Sequence, residues 1–259
     1  MSTGLAPIGF TAEADDQFTS LARASLVSTP ALLATRDRLR EVIKARAMAC
    51  VHGDAGLGKT YAVNAALRAI APRETLRIQF RSRPTPRDIR HELFRGLGLP
   101  GTAPRRPVEF DAVLKSALSR RFRVLVCDEA QQLSRECFEY WRYLWDDRDT
   151  RISIVFCGGG NCYEVLRREP MLRSRIYSWL AFRPMDIDEV LAAIRVFHPI
   201  WQKASDEDVE YVDNLAAHGN WRAWALVTRK VLDGLALKPE PKVSRELIEW
   251  TFSTMEGGS

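Results

Sequence analysis

The sequence lacks any apolar run of about 18 to 20 residues, the length that a transmembrane helix needs. Its N-terminus, MSTGLAPIGFTAEADDQF, has neither the basic start nor the apolar stretch of a secretory signal peptide. Hydrophobic residues make up 46% and charged residues 27% of the 259 positions, which is ordinary for a soluble globular protein. We therefore predict a soluble, cytoplasmic protein without membrane association, and we exclude the secreted and the largely disordered classes.

Cysteine and histidine are scarce. The five cysteines form no C-x-x-C pair and the four histidines are scattered, which argues against a zinc site. Three of the cysteines lie in apolar runs typical of buried strands, where a thiol behaves as a small hydrophobic group. An odd number of cysteines without a secretion signal predicts reduced thiols.

Lysine is scarce as well, with 7 lysines against 31 arginines, and the net charge of +5 is unevenly distributed. Residues 68–123 hold 14 basic and 5 acidic side chains, whereas residues 186–259 hold 8 basic and 13 acidic ones. Such a basic block either faces a polyanion or forms a solvated, salt-bridged surface.

Five apolar or alternating runs, at 47–52, 75–80, 123–127, 151–157 and 178–182, predict strands separated by helices. After Pro184 only helical patterns remain, at about 186–197, 206–217, 221–234 and 244–254. Strands that alternate with helices predict an α/β fold with a parallel sheet covered on both faces. We expect an N-terminal arm over 1–27, an α/β nucleotide-binding domain over 28–185 and a small all-helical lid domain over 186–259.

The first predicted strand runs into a segment that fits the phosphate-loop pattern G-x-x-x-x-G-K-[ST] in full, and a helix follows. The glycines let the backbone wrap around phosphates with positive φ, and amides at the helix start point toward the anion. Lys59 is expected to reach the β- and γ-phosphates and Thr60 to bind Mg²⁺. The expected nucleotide-binding residues are Gly53, Asp54, Ala55, Gly56, Leu57, Gly58, Lys59, Thr60 and Tyr61.

Two carboxylates follow the buried run RVLVC, about 70 residues after the phosphate loop. Asp128 is predicted to hold hydrated Mg²⁺ and Glu129 to polarise the attacking water as a general base. ATP and Mg²⁺ are therefore the expected cofactors.

The order of these motifs resembles the AAA+ ATPases over about residues 25–255. Within them, Thr29-Pro30, the segment DEAQ-x-L at 128–133 and the phrase EPMLRSRI at 169–176 resemble the transposition regulators of the phage Mu, Tn-type transposon and IstB-like group, which are related to secretion-associated AAA ATPases. The resemblance implies a P-loop AAA+ sheet with helices on both faces and a C-terminal helical lid.

The resemblance also implies further site residues. A polar sensor should follow the fourth strand, where this chain has three glycines and then Asn161, which could equally cap the next helix. Arg175 matches the arginine finger that enters a neighbouring subunit, with Arg173 as the alternative. Arg222, in the segment GNWR, matches a second sensor, although it could instead pack against Trp221 or Trp224.

In the resembling group, the segment after the second strand lies along DNA. The residues that could contact phosphates there are Arg81, Ser82, Arg83, Thr85 and Arg87, without reading the bases. A second basic cluster comprises Lys115, Arg120 and Arg121.

The leading hypothesis is an ATPase that assembles in an ATP-dependent ring or filament of identical subunits on double-stranded DNA and presents target DNA to a transposase. The alternatives are a helicase-loader-like or secretion-linked ATPase that acts on a protein partner, and a nucleotide switch that does not hydrolyse ATP. A superfamily-two helicase is excluded, because the helical residues after Met185 cannot supply a second RecA-like domain.

Overall fold

A computed structural model describes residues 21–80, 82–238 and 243–256. The chain divides into two compact units. The sheet unit comprises Ala31–Ala55 and Ala62–Phe182, and the helical unit comprises Met1–Pro30, Gly56–Tyr61 and Arg183–Ser259. The domain bounds predicted from sequence stay a prediction, since this division follows contacts and assigns part of the phosphate loop to the helical unit. Residues 1–20 of the predicted N-terminal arm lie outside the described residues.

The sheet unit is built on five strands that all pair in parallel, in the order β2-β3-β4-β1-β5. This confirms the predicted α/β fold with a parallel sheet. The carboxyl ends of β1, β3 and β4 therefore meet at one edge, where ligands bind in open α/β sheets. The strands are β1 Met48–His52, β2 Thr75–Ile78, β3 Arg123–Cys127, β4 Ile152–Gly158 and β5 Ile176–Ala181.

Helices surround these strands and then continue without further strands among the described residues. Sheet-unit helices are α1 Pro30–Ala45, α2 Lys59–Ile70, α3 Pro86–Gly96, α4 Pro107–Arg120, α5 Arg135–Trp145, α6 Cys162–Arg168 and the single turn α7 Pro170–Arg173. Helical-unit helices are α8 Ile187–Phe197, α9 Asp206–Val212, α10 Trp221–Leu237 and α11 Arg245–Glu256. Both α1 and α2 cross between the two units in sequence.

Alternate strand residues enter two separate hydrophobic cores of the sheet unit, as expected when helices cover both faces. Met48 and Cys50 lie in the core that also receives α3, α4 and α5 residues, whereas Ala49 and Val51 lie in the core that receives α1 and α2 residues. The β3 and β4 strands alternate in the same way, so their buried, near-continuous apolar sequence is explained by burial on both faces.

Capping residues define several helix starts. Thr85 and Asp88 form a reciprocal capping box at α3, and Asp186 and Glu189 form another at α8. The Asn220 side chain accepts hydrogen bonds from two backbone amides at the start of α10. These polar residues satisfy donors that the first helical turn leaves without intrahelical partners.

The helical unit has its own core, in which the buried Trp201 and Trp224 rings meet edge to face at 5.3 Å between centroids. A short π-helical segment, Asp213–Ala217, precedes α10. The Asp213 carboxylate accepts hydrogen bonds from the Trp224 indole (2.9 Å) and from the Gly219 amide (2.7 Å). It thereby fixes the turn that leads into α10.

All five cysteines are buried and none forms a disulfide. They lie in the sheet unit, where burial raises the pKa of Cys137 and of Cys127. Within the described ranges, no helix combines the length and apolar character that a membrane crossing requires.

Candidate functional site

The phosphate loop follows β1 with the backbone conformations that its glycines predict. Gly53, Gly56 and Gly58 have φ of 140°, 83° and 86°, values that other residues rarely adopt. A side chain at Gly53 would also lie 2.4 Å from the Phe182 carbonyl oxygen, so glycine is required there on two grounds. The loop then enters α2 at Lys59, whose side chain is buried.

The second part of the loop contacts the start of α10 inside the helical unit. The Arg222 amide donates to the Gly56 carbonyl oxygen at 3.1 Å. A Cβ atom on Gly56 would lie 2.4 Å from Asn220 Oδ1, and one on Gly58 would lie 3.2 Å from Trp221 Cδ1. The segment GNWR therefore lies against Gly56–Gly58. Arg222 itself has an exposed side chain.

The two predicted acidic residues follow β3 at the carboxyl edge of the sheet. Asp128 Oδ1 accepts a hydrogen bond from the Glu129 amide. Asp128 also forms an ion pair with Arg77 of β2, with 2.6 Å between Arg77 Nη2 and Asp128 Oδ2. Glu129 has left-handed backbone angles, φ 52° and ψ 41°. These angles are uncommon for residues other than glycine. At Glu129 the chain therefore leaves the extended conformation of β3.

A third polar side chain joins this edge. The Gln131 amide nitrogen donates to Glu129 Oε2 at 2.5 Å, and its oxygen accepts from the Gly159 amide at 3.2 Å. Asn161, the predicted sensor, is exposed and its side chain does not cap α6. The predicted sensor role of Asn161 stays untested by these positions.

Arg175 is held within its own subunit. Its guanidinium makes two hydrogen bonds to Asp146, at 2.8 and 3.0 Å, and a third to the Met171 carbonyl oxygen. Burial of Asp146 opposes its ionisation, but the charges and hydrogen bonds of Arg175 and Arg142 outweigh it and lower the pKa of Asp146. Arg173, the alternative finger, is exposed at the end of α7.

The predicted DNA-contacting segment lies between β2 and α3. Arg81 lies outside the described residues. Ser82, Arg83 and Arg87 are exposed, and Arg83 has a positive φ of 52°. Thr85 is also exposed, but its hydroxyl is engaged in the α3 capping box. Its hydrogen bonds lower the pKa of Asp88, so the same helix start carries a fixed negative charge.

Several other basic residues of the block are paired internally. Arg77 pairs with Asp128, Arg90 with Asp111 and Lys115 with Asp147, at 2.6 to 2.8 Å. Lys115 belongs to the second predicted cluster, whose Arg121 also pairs, with Glu74 at 3.5 Å. The positive charge available to a polyanion is therefore more local than the sequence count indicates.

Sequence reasoning missed the roles of Arg77, Gln131 and Asp146. Arg77 was counted only within the basic block, because its pairing with Asp128 depends on the strand order, which places β2 beside β3. Gln131 stood inside the quoted DEAQ segment, but only the fold brings it to the glycines that follow β4. No local pattern connects Asp146 with Arg175, which lies 29 residues later.

Comparison with known proteins agrees with this geometry. Residues 40–166 match the family described as AAA domain. No match was found among curated protein sequences.

Solved structures similar to this chain include Cdc6p from Pyrobaculum aerophilum, with 17% identity and a TM-score of 0.71 over 92% of this chain and 70% of that one. The Aeropyrum pernix ORC1 protein in complex with DNA has 20% identity and a TM-score of 0.65, over 86% and 65% of the two chains. The Thermotoga maritima RuvB Holliday junction branch migration motor has 15% identity and a TM-score of 0.58, over 86% and 68%.

At such identities, the structural similarity establishes the fold, and the matched domain adds the family of residues 40–166. Neither singles out the transposition regulators. The parallel sheet, its surrounding helices and the C-terminal helical region have the AAA+ P-loop architecture. Residues 40–166 match an AAA domain, and the chain is an ATPase with the AAA+ P-loop fold.

Proposed function

We propose that the chain binds ATP with Mg²⁺, hydrolyses it, and assembles through identical subunits into an ATP-dependent oligomer on double-stranded DNA. The observation that carries the ATPase part is the joint placement of two motifs on one sheet. The phosphate loop begins where β1 ends, and Asp128-Glu129 begin where β3 ends, with only β4 between these strands. Parallel pairing brings both ends to the same edge.

The residues divide the chemistry among them. Backbone amides of the loop and the Lys59 ammonium bind the phosphates, and Arg222 contacts the γ-phosphate. The Thr60 hydroxyl and the Asp128 carboxylate are oxygen donors of the kind that Mg²⁺ prefers, so they fit its binding, directly or through water. Bound Mg²⁺ neutralises phosphate charge. The Glu129 carboxylate accepts a proton from the attacking water.

An oligomer completes the site. A finger arginine, Arg175 or else Arg173, enters the neighbouring subunit and neutralises charge on the transferred phosphoryl group. Arg175 must first leave Asp146, whereas Arg173 is already exposed. Asn161 remains the proposed γ-phosphate sensor after β4.

DNA binding is supported by the exposed side chains of Ser82, Arg83 and Arg87 beside Arg81, a segment that can bind phosphates without reading bases. Among the similar structures, the Aeropyrum pernix ORC1 protein is described in complex with DNA. Presentation of target DNA to a transposase is a narrower proposal, and it rests on the resemblance carried by Thr29-Pro30 and by the segments DEAQ-x-L and EPMLRSRI. Cytoplasmic localisation is proposed from the sequence.

The test measures ATP hydrolysis and DNA binding together. Hydrolysis should require Mg²⁺ and be lost in Lys59→Ala, because phosphate binding fails, and in Glu129→Gln, because the base is lost while ATP still binds. Duplex DNA should be bound with ATP and released with ADP, and electron microscopy should show rings or filaments only in the ATP state. Equal DNA binding with ATP, with ADP and without nucleotide, and no oligomer, would contradict the DNA-assembly proposal while leaving the ATPase intact.

A protein-directed ATPase is the second candidate, and three exposed leucines favour it. Leu226 and Leu237 on α10 are 60% and 74% exposed, although the helix is otherwise amphipathic. Leu215 in the preceding segment is also exposed. Hydrolysis that a protein client stimulates and DNA does not would support this candidate, and Leu226→Ser should then reduce the stimulation without changing basal hydrolysis.

A further inference from the structure

Gln131 connects two parts of the sheet edge that the sequence treats as separate motifs. Its side-chain nitrogen donates to the Glu129 carboxylate at 2.5 Å, and its side-chain oxygen accepts from the Gly159 amide at 3.2 Å. One amide therefore joins Glu129, the second residue after β3, to Gly159, the first residue after β4. Each of its two polar ends has a specific partner.

The backbone after β3 aims this side chain. Glu129 turns the chain through left-handed angles, and a short 3-10 turn, Ala130–Gln132, follows. The turn is anchored by the fully buried Ala130 and by the Leu133 amide, which donates to the Ala130 carbonyl oxygen at 3.2 Å. Because β3 and β4 are paired neighbours, Gln131 can span from one strand end to the other.

The end of β4 is shaped around this amide. A Cβ atom on Gly158 would lie 2.3 Å from Gln131 Oε1, a distance that real Cβ atoms essentially never show. The same Cβ atom would lie 2.6 Å from Cys162 Sγ, so glycine at 158 leaves room for both Gln131 and Cys162, and the amide of Gly159 provides a donor for Gln131. Gly158 ends β4 and Gly159 follows it, and neither has a side chain. The polar group at this position is therefore the Gln131 amide.

We propose that Gln131 is a positioning residue for Glu129 and that it supplies, at the end of β4, the polar side chain that Gly158 and Gly159 lack. The inference rests on the proposed function, in which Glu129 is the base. A donated hydrogen bond holds one carboxylate oxygen and leaves the other to face water. A base with one fixed orientation spends more time in the geometry that proton transfer needs.

The primary test is steady-state ATP hydrolysis by Gln131→Ala, with Gln132→Ala as its matched control. Gln132 follows in the same turn and is exposed, so its truncation is the same chemical change without the bridge. We expect Gln131→Ala to lower kcat about tenfold or more, while KM and the directly measured affinity for ATP stay within twofold. Gln132→Ala should retain the unaltered rate.

Two further variants separate positioning from general loss of structure. Gln131→Glu keeps an oxygen for the Gly159 amide and removes the donor to Glu129, so it should lose activity as Gln131→Ala does. It also preserves side-chain size if the alanine variant fails to fold. Gly158→Ala should reproduce the kcat loss, because its methyl group displaces the Gln131 oxygen.

A double-mutant comparison tests whether Gln131 acts through Glu129. Adding Gln131→Ala to Glu129→Gln should leave the residual rate unchanged, since there is no base left to position. Equal proportional losses in both backgrounds would overturn the inference. So would a Gln131→Ala kcat within twofold of the unaltered protein, or a raised one, which would mean that the bridge restrains Glu129.

Failure of the proposed function gives a different result. If Glu129→Gln hydrolyses ATP as fast as the unaltered protein, then Glu129 is not the base and both proposals fall. If Glu129→Gln is inactive and Gln131→Ala is fully active, only the positioning role is overturned.

Discussion

Arg77 and Asp128 form an ion pair between neighbouring strands, with 2.6 Å between guanidinium nitrogen and carboxylate oxygen. Both side chains are mostly buried, at 27% and 16% exposure. Asp128 is the carboxylate that we propose for Mg²⁺ binding, so a positive side chain already occupies one of its oxygens. A second cation must compete with that guanidinium.

Arg77→Met should therefore lower the Mg²⁺ concentration that gives half-maximal ATP hydrolysis. Because both side chains of this mostly buried pair keep some contact with solvent, we expect the pair to contribute roughly 0.5–1 kcal/mol, which corresponds to a change of about two- to fivefold. Mg²⁺ titrations of the hydrolysis rate at saturating ATP measure the effect. Arg121→Met is the control, because Arg121 pairs with Glu74 instead. A higher Mg²⁺ requirement in Arg77→Met would mean that Arg77 orients Asp128 for the metal.

Asp146→Asn should raise hydrolysis at protein concentrations where the oligomer is only partly formed. The substitution weakens the pair that holds Arg175 in its own subunit, and we expect a gain of about two- to fivefold. Rates measured against protein concentration test this, with Asp147→Asn as the adjacent control. No gain, together with a large loss in Arg173→Ala and not in Arg175→Ala, would assign the finger to Arg173.

Asp111→Ala should strongly destabilise the sheet unit. The Asp111 carboxylate accepts two hydrogen bonds from Arg90 and one from the Tyr140 hydroxyl, and burial raises the pKa of Tyr140 so that this donor stays protonated. Removing one partner of a buried pair costs about 3–5 kcal/mol of unfolding free energy. Urea denaturation measures the loss. Glu109→Ala, an exposed change on the same helix, should stay within about 0.5 kcal/mol.

The helical unit should lose stability in mild acid through His198. Burial lowers the pKa of His198 below its ordinary 6.5, its Nε2 lies 2.9 Å from the Ala22 carbonyl oxygen, and its Nδ1 accepts from the Ile200 amide. The folded state thus binds this proton less readily than the unfolded state does. The stability that neutral His198 contributes to the folded state is complete above about pH 6.5, and it declines as the pH falls toward the folded-state pKa.

Thermal unfolding between about pH 7.5 and 5.5 measures this decline. His198→Gln should flatten the pH dependence, because the titrating group is gone. His218→Asn is the control, since His218 is exposed and its left-handed backbone suits asparagine. An unchanged pH dependence in His198→Gln would assign it to other groups.

The double substitution Arg83→Gln and Arg87→Gln should weaken DNA binding equally for all sequences. If each arginine binds one phosphate, the slope of log affinity against log salt concentration should fall by about 2. Titrations of labelled duplex at several salt concentrations provide the slope. Arg95→Gln is the control on the same helix, where Arg95 pairs with Glu92. ATP binding should not change in any of these variants.

The strands and the phosphate loop could be predicted because their signals are local. The apolar runs before Gly53 and Asp128 are long enough to identify buried strands, and the loop pattern requires its glycines at fixed positions. The strand order could not be read from the sequence, since it depends on which strands pair across long separations. The helix over Pro170–Arg173 could not be predicted, because it is only one turn long and has too little sequence for a periodic signal.

The partners of charged side chains were the least predictable part. Arg77 and Arg90 stand in the same basic block, yet each pairs with an aspartate that the fold brings close from elsewhere in the chain. Thr85, predicted to contact DNA, also caps the start of α3, a role that its spacing from Asp88 does encode. A charge count shows how much charge a segment has, but the fold decides how much of it stays available.

The distribution of the buried cysteines allows thiol labelling to detect unfolding of the sheet unit specifically. All five thiols lie in the sheet unit, and the sequence places none in the helical unit. A thiol-reactive dye can therefore label the chain only when the sheet unit opens, and it does not detect motion that is confined to the helical unit. Hydrogen exchange, by contrast, follows both units. The two methods run side by side would distinguish which unit unfolds first, without introducing a single substitution.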